Sequence, residues 1–170
     1  MTEFSTCDLC DAHGSDPDLR VLPPVFASFG GRRRFGGPVS TVKCFEDNTP
    51  VRAAVAESGW ADTAQGRVGR VLVVDGGASP RRALLGGNLA ATAARNGWAG
   101  VVIDGAVRDL AELAACALGI RALACVPLPT VKRDAGQRDL AVQVQGVWVR
   151  PGDWLYADDD GIVVAAGCLA

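Results

Sequence analysis

Two short apolar runs, Val71-Leu72-Val73-Val74 and Val101-Val102-Ile103, bracket a segment that opens on Gly86-Gly87 and continues through an alanine-rich stretch to Arg95. A strand that is apolar at every position has both faces covered, and such strands belong to parallel sheets whose crossovers are helices. The first run, Arg70 to Asp75, is expected to end at Gly76-Gly77. The helix that begins near Asn88 should stop before Gly97, the residue type that closes helices. A βαβ unit results, and it places the chain in the α/β class.

The flanking sequence adds elements to that unit. A helix is predicted near Cys7 to His13, an extended stretch near Pro24 to Phe29, a strand at Val39 to Phe45 and a helix at Val51 to Glu57. Beyond the unit, Leu110, Leu113, Ala114 and Leu118 recur at helical spacing ahead of Gly119, and a strand follows through Ala122 to Val126. From Leu140 to Ala165 the pattern alternates or runs in β-branched residues. Turns fall at Pro151-Gly152 and at Asp158-Asp159-Asp160-Gly161. Strands dominate the end and alternate with helices in the middle, so a mixed sheet is expected. No linker or repeat divides the 170 residues, which read as one domain, residues 1–170.

Charge and cysteine usage exclude several functions. A net charge of −2 does not supply the basic field that nucleic acid requires. The one basic cluster, Arg32-Arg33-Arg34 between two glycine pairs, reads as a solvated loop. Cys7-x-x-Cys10 has no second pair to complete a zinc site, and the six cysteines read as reduced core thiols. His13 is the only histidine, and nothing near it in sequence suggests a nucleophile. Val73-Val74-Asp75-Gly76-Gly77 has the strand-then-glycine opening of nucleotide or S-adenosylmethionine sites but lacks G-x-G-x-x-G and a P-loop lysine. No apolar run reaches membrane-spanning length and no secretory leader is visible, so a soluble cytoplasmic protein is expected.

The stretch from 86 to 113 carries the chemistry. It sets two helix N-termini near the ends of neighbouring strands, where the backbone N–H groups of Gly87, Asn88 and Leu89 can hold an anion and Gly86 and Gly87 allow close approach. Asn88 is also a natural cap for its own helix. Asp109-x-x-Glu112 has the form of a capping box. Arg108 beside Asp109 opens a second use: the guanidinium can hold an anionic substrate while the carboxylate holds a divalent cation.

These residues carry a family resemblance. Cys7-Asp8-Leu9-Cys10-Asp11, FGGRRRFGGPVSTVKCFEDN from Phe29, VLVVDGG from Val71, LLGGNLA from Leu84, RNGWAGVVIDGAVRD from Arg95 and RPGDWLYADDDGIVV from Arg150 occur in this order. Together they make the chain resemble the regulator of ribonuclease activity A (RraA) family and its relatives, the class II 4-hydroxy-4-methyl-2-oxoglutarate aldolases. The resemblance implies a swivelling β/β/α-type fold assembled as a homotrimer with active sites at subunit boundaries. It implies cleavage of 4-hydroxy-4-methyl-2-oxoglutarate to two pyruvates, and oxaloacetate decarboxylation, with Mg²⁺ or Mn²⁺ as cofactor and a small 2-oxo acid as substrate. Arg108 then matches the arginine that binds substrate and steadies the pyruvate enolate, and Asp109 matches the metal ligand. Gly86, Gly87, Asn88 and Leu89 match the substrate loop. The aldolase pattern places acidic residues at the positions of Gly87 and Glu112, so Glu112 fits and Gly87 departs. Restoring the acid with Gly87→Asp is expected to raise kcat. The resemblance also offers a different function, a protein that binds and inhibits an RNase E-type endonuclease.

Overall fold

The computed structural model describes residues 4–170. In chain order the elements are α1 (Thr6–His13), β1 (Arg20–Val21), β2 (Ala27–Ser28), β3 (Phe35–Lys43), α2 (Thr49–Ala56), β4 (Trp60–Thr63), β5 (Gly66–Gly69), β6 (Val71–Leu85) and α3 (Gly87–Arg95). The second half adds β7 (Gly100–Val107), α4 (Leu110–Ala115), β8 (Gly119–Cys125), β9 (Gln137–Arg138), β10 (Val142–Val144), β11 (Val147–Val149), β12 (Trp154–Ala157) and β13 (Ile162–Ala165).

One mixed sheet organises the chain in the order β1-β13-β12-β3-β6-β7-β8-β2, with β9 paired to β3. Strands β3, β6, β7 and β8 are parallel, and the flanking pairs are antiparallel. Successive residues of the apolar runs feed opposite faces, as the pleat requires. Leu72, Val74, Val101 and Ile103 pack with α2 and α3 through Val51, Val55, Ala90 and Ala93. Val71, Val73 and Val102 pack against Val142, Val144 and Val149 of the β10–β11 hairpin. The result is a helical layer, a central sheet and a β layer, the α/β architecture with a mixed sheet expected from the sequence.

The structure moves several boundaries. β6 does not stop at Gly76-Gly77: it bulges there and resumes pairing with β7 at Ser79, Ala83 and Leu85. The positive φ of Gly77 (65°) and Ala78 (54°) turns the bulge outward. Leu84 and Leu85 are only 1% exposed, and their burial carries the strand past the glycines. Helix α4 ends at Ala115, and Leu118 is a core residue ahead of β8. The β4–β5 hairpin, which the sequence pattern did not announce, fills 60–69. All six cysteines are free, but only Cys44 is a core thiol; its burial pushes the thiol up to about 12. Among the described residues no helix is long and apolar enough to cross a membrane.

Candidate active site

The site stands where β6 and β7 end side by side. Leu85 pairs with Val107, so the turns that follow, Gly86-Gly87 into α3 and Arg108-Asp109 into α4, face each other. The Arg108 N–H donates to the Leu85 carbonyl at 3.0 Å and locks the two strand exits together.

Asp109 does not form the capping box that its spacing suggests. It precedes α4 in the left-handed region (φ 62°, ψ 48°) and makes no side-chain cap on that helix. Its Oδ2 instead accepts the Gly87 N–H at 3.1 Å, so it caps the neighbouring helix α3. Nor does Asn88 cap α3: the N-cap position falls on Gly86, without a side-chain hydrogen bond. A carboxylate at a helix N-terminus also has the right sign for the helix dipole. The first donor inside α3 is Ala90, which bonds the Gly86 carbonyl. The Asn88 and Leu89 amides precede it at the open end of the helix.

Arg108 lies beside this carboxylate, with Nε 3.6 Å from Asp109 Oδ2, and both side chains are more than a third exposed. Gly86 is extended (φ −135°, ψ −176°). Its lack of a side chain matters for approach, since a Cβ there would overlap the Asp109 carboxylate and lie 3.1 Å from Arg108 Nε. Glu112, one turn into α4, folds over Gly87. A Cβ on Gly87 would run into the Glu112 carboxylate and come within 2.8 Å of Glu112 Cβ. Two carboxylates and a guanidinium therefore surround one glycine pair.

Two cavities flank the pair. One, of about 70 Å³, is bounded by Gly86, Asn88, Leu89, Arg108 and Asp109 together with Asn48, Thr130 and Lys132. The other, of about 240 Å³, has Leu110, Cys125 and Pro127 against the same Arg108 and Asp109. Every residue predicted for the site from sequence is thus brought together. Sequence reasoning missed Asn48, Thr130 and Lys132, which arrive on remote segments. Asp47 brings them there: it is buried, its Oδ1 accepts from the Thr49 N–H and hydroxyl, and its Oδ2 accepts from the Arg133 and Ala135 N–H groups at 2.8 and 3.0 Å. Burial alone would raise its pKa, yet these hydrogen bonds prevail and hold it at about 2. The Thr130 hydroxyl in turn donates to Asn48 Oδ1 at 2.8 Å.

A polar site at the carboxyl ends of adjacent parallel strands, with an arginine beside an acid, stands where open α/β folds place their ligand sites. The comparisons with known proteins make that placement specific. The model of the RraA-like family (Aldolase/RraA) matches residues 6–164, and the chain belongs to that family. A protein of Albidiferax ferrireducens provisionally named a 4-hydroxy-4-methyl-2-oxoglutarate aldolase is 72% identical over 168 residues, 98% of this chain and 97% of that one. The solved structure of the RNA-processing inhibitor RraA from Thermus thermophilis superposes with a TM-score of 0.89 at 46% identity, over 99% of this chain and 96% of the other. A Geobacillus kaustophilus structure described as an S-adenosylmethionine:2-dimethylmenaquinone methyltransferase gives a TM-score of 0.88 at 42% identity, over 98% and 97%.

Proposed function

We propose that the protein is a divalent-metal-dependent lyase that cleaves 4-hydroxy-4-methyl-2-oxoglutarate to two pyruvates and decarboxylates oxaloacetate. The observation that carries this reading is the convergence of Arg108, Asp109 and Glu112 on the Gly86-Gly87 turn. The Albidiferax relative adds the substrate class. In both reactions a carbon–carbon bond breaks and its electron pair passes to the 2-oxo group, leaving the enolate of pyruvate.

Arg108 serves that enolate. Its guanidinium binds the substrate carboxylate and 2-oxo oxygen and holds the charge that grows there, a role worth about 3 kcal/mol for a preorganised donor. The open amides of Asn88 and Leu89 receive a second carboxylate oxygen. Glu112, close over Gly87, takes the proton from the 4-hydroxyl in aldol cleavage and returns a proton to the enolate carbon. Lys132, on the opposite wall, balances the second negative charge of the substrate.

Among the described residues no three His, Cys, Asp or Glu side chains converge as a closed metal cage. The donor set fits a hard cation that keeps most of its water, since Asp109 uses only Oδ2 for Gly87 and Glu112 lies on the same turn. Asp109 would hold Mg²⁺ or Mn²⁺, and the ion would supply Lewis-acid polarisation of the 2-oxo group. The nucleotide or S-adenosylmethionine reading of Gly76-Gly77 needs a strand that ends at the glycines and leads into a helix, whereas β6 runs through them to Leu85.

A second reading, inhibition of an RNase E-type endonuclease through a protein–protein contact, draws on the likeness to the Thermus RNA-processing inhibitor. One experiment separates the two: oxaloacetate decarboxylation with Mg²⁺, Mn²⁺ or EDTA, run beside an RNase E inhibition assay. Decarboxylation that EDTA abolishes and added metal restores is the expected result. Absence of turnover together with inhibition of the nuclease would replace the lyase by the regulator.

A further inference from the structure

Asn48 stands at the N-cap of α2 but does not cap it. Asparagine is among the best residues for that position, because its side-chain oxygen accepts an N–H of the first helical turn. Here the side chain makes no cap hydrogen bond. Asp47, one residue earlier, takes the Thr49 N–H and hydroxyl instead. Asn48 is thereby released from the helix, and it stands in the wall of the cavity bounded by Gly86, Arg108, Asp109 and Lys132.

Thr130 sets which way the amide faces. Its hydroxyl accepts the Asn48 backbone N–H at 3.3 Å and donates to Asn48 Oδ1 at 2.8 Å. The amide oxygen is thus occupied, and Nδ2, which donates to no acceptor among the described residues, is left for the cavity. The residue is half-buried, and Nδ2 is not one of the buried polar atoms without a partner, so it stays open to a ligand. Its backbone is held on both sides: the Asn48 carbonyl accepts the Arg52 N–H at 2.9 Å, and the neighbouring Asp47 carboxylate accepts the Arg133 and Ala135 N–H groups. Lys132, on the same wall, is exposed and carries its charge on a flexible stem. Lys132 supplies charge there, and Asn48 supplies direction.

We propose that Asn48 Nδ2 binds the distal carboxylate of the substrate and so favours aldol cleavage over decarboxylation. The inference rests on the lyase reading. In 4-hydroxy-4-methyl-2-oxoglutarate the 4-hydroxyl loses its proton, the bond between C3 and C4 breaks, its electron pair passes to the 2-oxo group, and C4 becomes the keto carbon of the second pyruvate. The distal carboxylate survives, so a hydrogen bond to it is kept through the transition state. In oxaloacetate the bond that breaks joins C3 to the distal carboxylate itself, which leaves as neutral CO₂ while the electron pair passes to the 2-oxo group. A donor on that carboxylate loses its partner as the bond breaks, and an interaction missing from the transition state does not speed the reaction.

The test is calorimetry of the intact protein with Mg²⁺ against 2-oxoglutarate and, separately, pyruvate, beside steady-state assays of both reactions. 2-Oxoglutarate has the distal carboxylate but no 4-hydroxyl, so it binds without being cleaved. The parent protein should bind it more tightly than pyruvate. Asn48→Ala should weaken 2-oxoglutarate about tenfold, the loss of a hydrogen bond to a charged group, and pyruvate less than about twofold. Asn48→Asp keeps an oxygen for Thr130 and should melt with the parent, yet it sets one carboxylate against another and should bind 2-oxoglutarate more weakly still. In turnover, Asn48→Ala should lose about tenfold in kcat/KM for aldol cleavage and less than about twofold for decarboxylation. A parent that binds pyruvate as tightly as 2-oxoglutarate overturns the proposal. So does 2-oxoglutarate binding that Asn48→Asp retains at the parent level, which would leave Asn48 as a structural link to Thr130, and so do equal losses in the two reactions. Absence of turnover in the parent would remove the lyase reading alone: a tenfold loss of 2-oxoglutarate binding in Asn48→Ala would still support the assignment of Asn48, and unchanged binding would overturn it.

Discussion

Asp109 has two duties that its substitutions pull apart. The carboxylate caps α3 through the Gly87 N–H and is the proposed cation ligand. Asp109→Asn keeps an oxygen acceptor for Gly87 and discards the charge, so it should lose metal-dependent turnover and less than about 1 kcal/mol of stability. Asp109→Ala should lose the turnover and about 1–2 kcal/mol in urea unfolding, a typical cap deletion. Equal loss of stability in both, with metal-dependent activity retained in Asp109→Asn, would leave only the cap. Glu112 decides the fate of Gly87. Sequence reasoning expected Gly87→Asp to raise kcat by supplying a missing acid, but Glu112 already occupies the space of a Cβ there. The single substitution must displace Glu112 and should therefore lower both stability and kcat. Glu112→Ala should lower kcat by about 10²-fold or more with little change in KM, the usual share of a proton-transfer group. Adding Gly87→Asp to that variant, where the space has been vacated, should recover part of kcat in steady-state assays.

Among the elements, the βαβ unit was legible because its two apolar runs and its closing glycine are local signals. The extension of β6 past Gly76 was not, since two glycines after a strand normally end it, and only packing of Leu84 and Leu85 against the helical layer restores the pairing. Asn48, Thr130 and Lys132 were invisible for a different reason. Their meeting depends on hydrogen bonds that the Arg133 and Ala135 N–H groups donate to Asp47 across more than eighty residues, and no periodicity records such a contact. That tether has a pH signature. The Asp47 pKa falls from an ordinary 3.8 to about 2 in the folded chain, so its contribution is complete well above the ordinary value and is lost as pH falls through about 2. Asp47→Ala takes the acceptor from the buried Thr49 N–H and hydroxyl and from the Arg133 and Ala135 N–H groups and should cost about 2–3 kcal/mol at pH 7. The gap between variant and parent should close in thermal melts taken towards pH 2. KM for oxaloacetate should rise as the segment bearing Lys132 loosens, whereas a purely structural role would lower Tm and leave KM unchanged.

At the scale of the whole molecule, the proposed lyase site is small and open in a single copy. The cavity bounded by Arg108, Asp109, Asn48 and Lys132 amounts to about 70 Å³ and its neighbour on the same Arg108 and Asp109 to about 240 Å³, each below the roughly 300 Å³ at which small-ligand pockets begin. Large apolar residues stand exposed beside it: Leu110, Leu128 and Val131 are 43–49% exposed. Leu110 lies in the wall of the larger cavity beside Asp109, and Leu128 and Val131 are chain neighbours of Pro129, Thr130 and Lys132, which line the smaller one. Exposed apolar residues grouped around a polar site are the mark of an interface, and a closed ring of identical contacts satisfies every copy at once. We propose that a homotrimer, the assembly implied by the family resemblance, covers these residues and lends each site a wall from the next subunit. Light scattering at micromolar concentration should therefore give three times the 17.6 kDa chain mass. Leu128→Asp/Val131→Asp should shift it towards monomer, since each charge would have to be desolvated in the contact. Decarboxylation should fall with the loss of trimer as the protein is diluted, although Arg108, Asp109 and Glu112 are untouched. A monomeric variant that keeps the parent kcat/KM would show that one chain builds the site by itself.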